Sequence, residues 1–192
     1  PSLSFNHDMF LVANEAYGRD FDKGELPITP TRRAAILTCM DARILPSLVL
    51  GFEEGDVHVI RNAGGRLTDD ALRSFIISYK LLGTQALYIM HHTNCGMGTF
   101  TEEQMGDLLA GSLGPAELAP GGWRNTDAGP GSVEGRYLKW HCFTDPEQAL
   151  IDDVHRLRAC SLIPKSIPVF GLIYEVETGR VRDVTGAYDP GA

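Results

Sequence analysis

The chain has 192 residues, 43% of them apolar and 22% charged, with a net charge of −8 and a pI near 5.2. That is enough chain for one domain with a full core, and the composition is not that of a disordered protein. The acidic balance repels phosphate backbones and argues against a nucleic-acid partner, while no apolar run reaches the roughly 20 residues that span a bilayer.

The amino-terminal PSLSFNHDMF lacks the basic-then-apolar pattern of a secretory leader. Residues 6–21, NHDMFLVANEAYGRDF, place Met9, Phe10, Val12, Ala13, Ala16 and Tyr17 at helical spacing and predict an amphipathic helix. A loop broken by Pro27 and Pro30 follows. AAILTC is a short apolar strand, PSLVLGF a short helix ending near Gly51, and DVHVIRNAGG a second strand running into a glycine turn. TDDALRSFIISYKLLG carries the strongest helix signals: Thr68 as cap, acids in the first turn and Gly83 as stop. ALYIMH is the third strand, with His92 at its end.

TEEQMGDLLAG predicts another helix. Residues 112–143 are rich in glycine and proline and read as a long irregular surface excursion, a kind of loop that is often functional. DPEQALIDDVHRLRAC predicts a helix, and PVFGLIYEVETGRVRDV a strand, a turn at ETGR and a second strand. Alternating strands and helices imply right-handed crossovers and a central, mostly parallel sheet with helices on both faces, in one α/β domain. Such sheets bind ligands beyond the carboxyl ends of their strands. Cys39, Asn62 and His92 stand at three such ends.

Four cysteines, Cys39, Cys95, Cys142 and Cys160, are too sparse for a disulfide scaffold and fit a reducing, cytoplasmic compartment. Singly, Cys39, His92 or Cys95 reads as a core thiol or a capping histidine. Together, with a His-x-x-Cys turn facing a neighbouring strand end, they read as three zinc ligands with a fourth position open, the form of a catalytic site. His91 points away from His92 if both lie on the strand. Asp41 and Arg43 follow Cys39 closely, as a carboxylate beside the metal held by a two-pronged guanidinium. Cys142 and Cys160 read as structural thiols, with His141 and Cys142 the weaker accessory pair.

CMDAR followed by HHTNC resembles the Cys-x-Asp-x-Arg and His-x-x-Cys signatures of the β-class carbonic anhydrases, and VIRNAGG resembles that family's Arg-Asn-Ala-Gly segment. The likeness runs over about residues 34–98 and resumes more weakly over about 145–184. It implies one Zn²⁺ per chain on Cys39, His92 and Cys95, with Asp41 and Arg43 as catalytic dyad. It also implies an antiparallel edge on the sheet and a homodimer built through an N-terminal helical arm. Met40-Asp41-Ala42 and the short HHTNCGM suit the compact microbial branch, which also contains hydrolases of carbonyl sulfide and carbon disulfide. The excursion at 112–143 lies outside the shared pattern.

The expected reaction is addition of water to a small linear heterocumulene, first CO₂ to bicarbonate and second carbonyl sulfide to CO₂ and H₂S. Backbone N–H groups at Gly64, Gly65 and Gly96 either meet the developing oxyanion or belong only to tight turns. A non-catalytic zinc or redox-sensing module accounts for the three ligands but leaves Asp41 and Arg43 unused. A Rossmann-like nucleotide binder needs a glycine-rich loop that CMDARILPS lacks.

Overall fold

The computed structural model describes residues 7–189. The elements are α1 (His7–Arg19), β1 (Ala34–Cys39), α2 (Pro46–Leu50), β2 (Val57–Asn62), α3 (Asp69–Leu82) and β3 (Ala86–His92), then α4 (Glu102–Gly111), β4 (Ala116–Ala119), β5 (Gly122–Asn125), α5 (Pro146–Ala159), β6 (Val169–Glu175) and β7 (Arg180–Asp189). Asn6, the first residue of the predicted N-terminal helix, lies outside the described residues.

The main sheet has the order β2-β1-β3-β6-β7. Its first four strands are parallel and β7 pairs antiparallel with β6. The chain leaves β1 toward β2 and returns on the other side as β3. The carboxyl ends of β1 and β3 therefore flank a reversal of strand order, where an open α/β sheet leaves a crevice.

Alternate side chains divide the strands between two cores, as the pleat requires. Ala35 and Leu37 of β1, with Leu87 and Ile89 of β3, face α3 and α5 through Phe75, Leu150, Val154 and Leu157. Ile36 and Met90 face the other way, toward Ile44 and the half-buried Val49 and Leu50 of α2. Cys39 and Cys95 belong to this second, smaller core.

The helix ends follow local chemistry. Thr68 accepts the backbone N–H of Ala71, and Gly83 closes α3 in the left-handed conformation. Thr101 and Gln104 form a reciprocal capping box at the start of α4. Asp145 caps α5 by accepting from Glu147 and Gln148. Helix α1 forms as predicted, yet residues 8–19 are all exposed: Met9 is 68% and Val12 65% accessible, so neither is buried among the described residues. Among the described residues, no helix is long and apolar enough to cross a membrane.

The excursion differs from its expected irregular form. Residues 116–125 form an antiparallel hairpin, Leu118 opposite Trp123, and residues 133–137 a short 3₁₀ helix. Strands of four residues between prolines and glycines are too short to show a period of two. The excursion folds back on α4: Asn125 donates to the carbonyl of Leu108 at 2.9 Å and the N–H of Ser132 to that of Leu109 at 2.7 Å. At Gly131 any Cβ would strike the carbonyl of Ala110, so only glycine allows this close approach.

Phe75 is fully buried at the centre of the larger core. Phe75→Ala should cost about 3–5 kcal/mol of stability, since transfer and cavity costs add. Urea unfolding at fixed protein concentration measures it, and a loss below about 1 kcal/mol would contradict this packing.

Candidate metal centre

Strand β1 delivers Cys39, β3 delivers His92, and the turn after β3 delivers Cys95. One ligand atom from each lies within 4.8 Å of the other two, and all three residues are buried. The sulfurs of Cys39 and Cys95 are 4.0 Å apart. His92 Nδ1 lies 2.8 Å from the carbonyl oxygen of Thr93. A carbonyl only accepts, so Nδ1 carries the proton and Nε2 presents a lone pair. That Nε2 is the one buried side-chain nitrogen or oxygen without a partner among the described residues. Two sulfurs and an orphaned imidazole nitrogen, converging in a buried site, fit a zinc ion.

Backbone donors tune the sulfurs. The N–H of Gly64 points at Cys39 Sγ, 3.3 Å away. The Cys39 thiol is brought down to about 4, first by the S–H of Cys95, against burial, and further by His92 and the N–H groups of Asp41 and Gly64. Cys95 is pushed up, first by the Cys39 sulfur it donates to and then by burial. Two sulfurs this close are satisfied together by a bound cation.

Asp41 stands at the edge of this cluster, Oδ2 3.8 Å from His92 Nε2. Arg43 grips both its oxygens, with Nε and the backbone N–H on Oδ1 at 3.0 and 2.9 Å and Nη2 on Oδ2 at 2.7 Å. The same Nη2 reaches the carbonyl of Asn94 at 2.9 Å, tying the dyad to the turn that carries Cys95. The Arg43 hydrogen bonds hold the Asp41 carboxyl down to about 2, so it is a carboxylate throughout the neutral range.

The three glycines occupy different places. Gly64 spends its N–H on Cys39. Gly65 packs against β1, where a Cβ would sit 2.9 Å from the nitrogen of Cys39, and its φ is +65°. Gly96 lines the cavity beside the cluster, and its carbonyl accepts from Thr99 Oγ1 at 2.6 Å.

Sequence reasoning placed Asn62 at a strand end but read neither it nor Arg61 nor Arg66 as a brace behind these residues. Arg61 donates to the carbonyls of Cys39 and Asp41 at 2.9 and 2.8 Å, fixing the backbone between ligand and dyad. Asn62 spans the glycine turn, its amide donating to the carbonyl of Arg66 and accepting from the N–H of Arg66, both at 2.8 Å. Both lie in the RNAGG segment, which was the available signal. Arg66 makes a buried two-pronged pair with Asp153 at 2.7 and 3.1 Å. His91, fully buried, sits 3.4 Å from the same carboxylate and 3.2 Å from the carbonyl of Gly65, away from the cluster. The Asp153 carboxyl is opposed by burial but held below the usual range by His91 and Arg66.

His141 and Cys142 are not in the metal-capable group found among the described residues. Burial, with the Glu102 carboxylate nearby, pushes the Cys142 thiol up to about 11. Cys160 packs against the larger core.

Beside the cluster lies a cavity of about 470 Å³. Cys39, Asp41 and Cys95 reach one end, and Met97, Phe100 and Leu109 line its walls. The excursion supplies Ala116, Trp123 and Asn125.

The family model described as "Carbonic anhydrase" matches residues 34–117. Beta-carbonic anhydrase 1 of Mycobacterium tuberculosis is 36% identical over 178 residues, covering 93% of this chain and 97% of that protein. A carbon disulfide hydrolase of Acidianus is also 36% identical, over 167 residues, covering 81% of this chain and 78% of that one. The solved carbonic anhydrase of Streptococcus mutans superposes with a TM-score of 0.79 at 39% identity, covering 92% of this chain and 96% of that one.

Gly65→Ala tests the seat of Cys39. A β-carbon there meets the backbone of Thr38 and Cys39 while the main chain is left-handed. The expected outcome is destabilisation by about 1–3 kcal/mol with faster loss of zinc to a chelator. Unchanged denaturation and zinc retention would mean that β1 tolerates displacement at this point.

Proposed function

The chain belongs to the β-carbonic anhydrase family, zinc enzymes that hydrate small heterocumulenes, and we propose that it does so at Cys39, His92 and Cys95 with CO₂ as first substrate and bicarbonate as product. The observation that carries this reading is the unpartnered Nε2 of His92, turned toward two sulfurs with the Asp41 carboxylate 3.8 Å away. Zinc held there is a Lewis acid that lowers the pKa of a coordinated water toward neutrality.

The remaining roles belong to the protein. Asp41, ionised and held on both oxygens by Arg43, accepts a hydrogen bond from the attacking water and aims its lone pair at the substrate carbon. Arg43 keeps Asp41 turned from the donor cluster, and Arg61 fixes the backbone that carries both Cys39 and Asp41. Gly64 assists by steadying the Cys39 sulfur rather than by meeting an oxyanion. The two-pronged dyad beside the cluster argues against a merely structural zinc module, which has no use for it.

Carbonyl sulfide is the second reading, favoured by the apolar walls next to the site. Comparing pH-jump CO₂ hydration with sulfide release from carbonyl sulfide, on one zinc-loaded preparation, decides between them. Sulfide release with the larger kcat/KM would make carbonyl sulfide the first substrate and CO₂ the second.

Cys39→Ser and Cys95→Ser should each lose zinc, because a hydroxyl replaces a thiolate ligand. Asp41→Ala should keep its zinc and lose about 10² to 10⁴ in kcat/KM, with Arg43→Ala at least as impaired because Asp41 is then free to turn inward. Asp41→Ala within about threefold of the parent on the better substrate, far short of that loss, would end the dyad's role.

The assembly proposed is a two-fold homodimer in which each α1 packs on the other copy. Its support is the exposure of residues 8–19, Met9 and Val12 included. Sedimentation should give a dimer for the full chain and a monomer once residues 1–22 are removed. A full-length monomer at micromolar concentration would refute the arrangement.

A further inference from the structure

The cavity beside the metal centre is too large for CO₂ or carbonyl sulfide alone. A linear triatomic molecule fills only a small multiple of the about 30 Å³ that a liquid water takes. The space is about 470 Å³, within the range that holds organic ligands of many atoms. One end touches the reacting position, at Cys39, Asp41 and Cys95. The rest runs away from it between α4 and the hairpin β4–β5.

Its polar lining groups are already engaged. Asn125 donates to the carbonyl of Leu108 at 2.9 Å, and Ser112 donates to Asp127 at 2.5 Å while accepting the N–H of Gly114 at 3.0 Å. Trp123 donates its indole N–H to Thr99 Oγ1 at 2.9 Å, and Thr99 in turn donates to the carbonyl of Gly96, next to Cys95. What remains facing the interior is thioether, aliphatic and aromatic: Met97, Phe100, Met105, Leu108, Leu109 and Trp123. The excursion wall is fixed to the metal-bearing turn by the tryptophan and to α4 by Asn125. This is a preformed, partly open cleft with mostly apolar walls, and Cys39, Asp41 and Cys95 are among its lining residues.

We propose that this chamber binds the apolar substituent of an organic heterocumulene, and that the protein hydrolyses alkyl isothiocyanates, R–N=C=S, with the N=C=S group at Asp41 and R between Leu109 and Trp123. The proposal rests on the reading of Cys39, His92, Cys95 and Asp41 as a hydrating zinc site. Water oxygen bonds to the central carbon while the C=N π pair moves to nitrogen, which takes a proton. The remaining hydroxyl proton passes from oxygen to sulfur, giving the thiocarbamic acid R–NH–C(=O)–SH. Its C–N bond then breaks as the S–H proton passes to nitrogen, releasing R–NH₂ and O=C=S. No oxidant, reductant or second co-reactant is needed. Carbonyl sulfide is itself a small heterocumulene of the kind the same site is proposed to hydrate.

The test is an alkyl series from methyl to butyl isothiocyanate on the zinc-loaded full chain, followed by amine release. Each methylene buried in an apolar chamber should raise kcat/KM about fourfold, or about 60-fold from methyl to butyl. Ala116→Phe, which pushes a ring into the chamber, should flatten the series; Ala116→Leu serves the same purpose if the larger residue prevents folding. Binding is read separately in Trp140→Phe protein, whose sole indole is Trp123. Titration with n-butylbenzene should change its fluorescence, and Ala116→Phe or Ala116→Leu should abolish the change.

Amine release independent of chain length overturns the proposal, as does covalent capture of Cys39 or Cys95 without amine release. If CO₂ and carbonyl sulfide are turned over but isothiocyanates are not, the chamber assignment alone fails. If none of the three is turned over by zinc-loaded protein, the reading of the metal centre fails and takes this inference with it.

Discussion

The hydrogen bond from His92 Nδ1 to the carbonyl of Thr93 is the constraint on which the centre depends. It places the proton on one nitrogen and leaves the other electron-rich, buried and without a donor. A neutral imidazole facing two sulfurs is an unfavourable arrangement in a low-dielectric interior unless a cation joins it. Everything adjacent serves the same geometry. Gly64 donates to Cys39, Arg61 holds the carbonyls on either side of Met40, and Arg43 keeps the Asp41 carboxylate occupied. These are backbone and guanidinium contacts, which leave little rotational freedom at the three ligands.

The sheet separates stability from chemistry. Its larger core, under α3 and α5, contains the bulk of the buried aliphatic side chains, while the cysteines belong to the smaller core on the opposite face. The two are joined through Asp153. From α5 that carboxylate accepts from Arg66 and from the N–H of Leu67, just after the glycine turn behind Cys39, and lies 3.4 Å from His91 Nε2 of β3. A buried carboxylate with this many donors is satisfied, and removing it would strand the cation of Arg66. The position of Cys39 is thus tied to the packing of a helix more than 100 residues later in the chain.

Local chemistry was legible in the sequence, and distant pairing was not. The cap at Thr68 lies three residues from its partner Ala71 and the stop at Gly83 five from Ser78, so α3 could be read directly. Cys39, Asp41, Arg43, His92 and Cys95 were legible because parallel strands place successive carboxyl ends side by side, and the observed positions follow that rule. His91 was separated from His92 by the pleat alone. Arg61 went unread because its partners are backbone carbonyls, which carry no residue identity. Arg66 and Asp153 are 87 positions apart, and nothing in either local sequence announces the other. The hairpin at 116–125 escaped because four-residue strands give too few alternations to distinguish from a polar loop.

The hairpin also makes the two sides of the centre unlike. Toward the excursion, the walls are apolar and their few polar groups are satisfied internally. Toward Asp41 lies Arg43, whose side chain is 48% exposed and already shared between the carboxylate and the turn carrying Cys95. An uncharged heterocumulene loses little on entering the apolar side. An anion would lose its hydration there without gaining a donor, a cost of several kcal/mol. The exposed guanidinium side offers both water and a cation. Polarity alone therefore makes the surroundings of the cluster unlike: apolar walls from α4 and the hairpin, and a half-exposed guanidinium paired with Asp41. That asymmetry comes from a segment outside the motifs that define the metal centre.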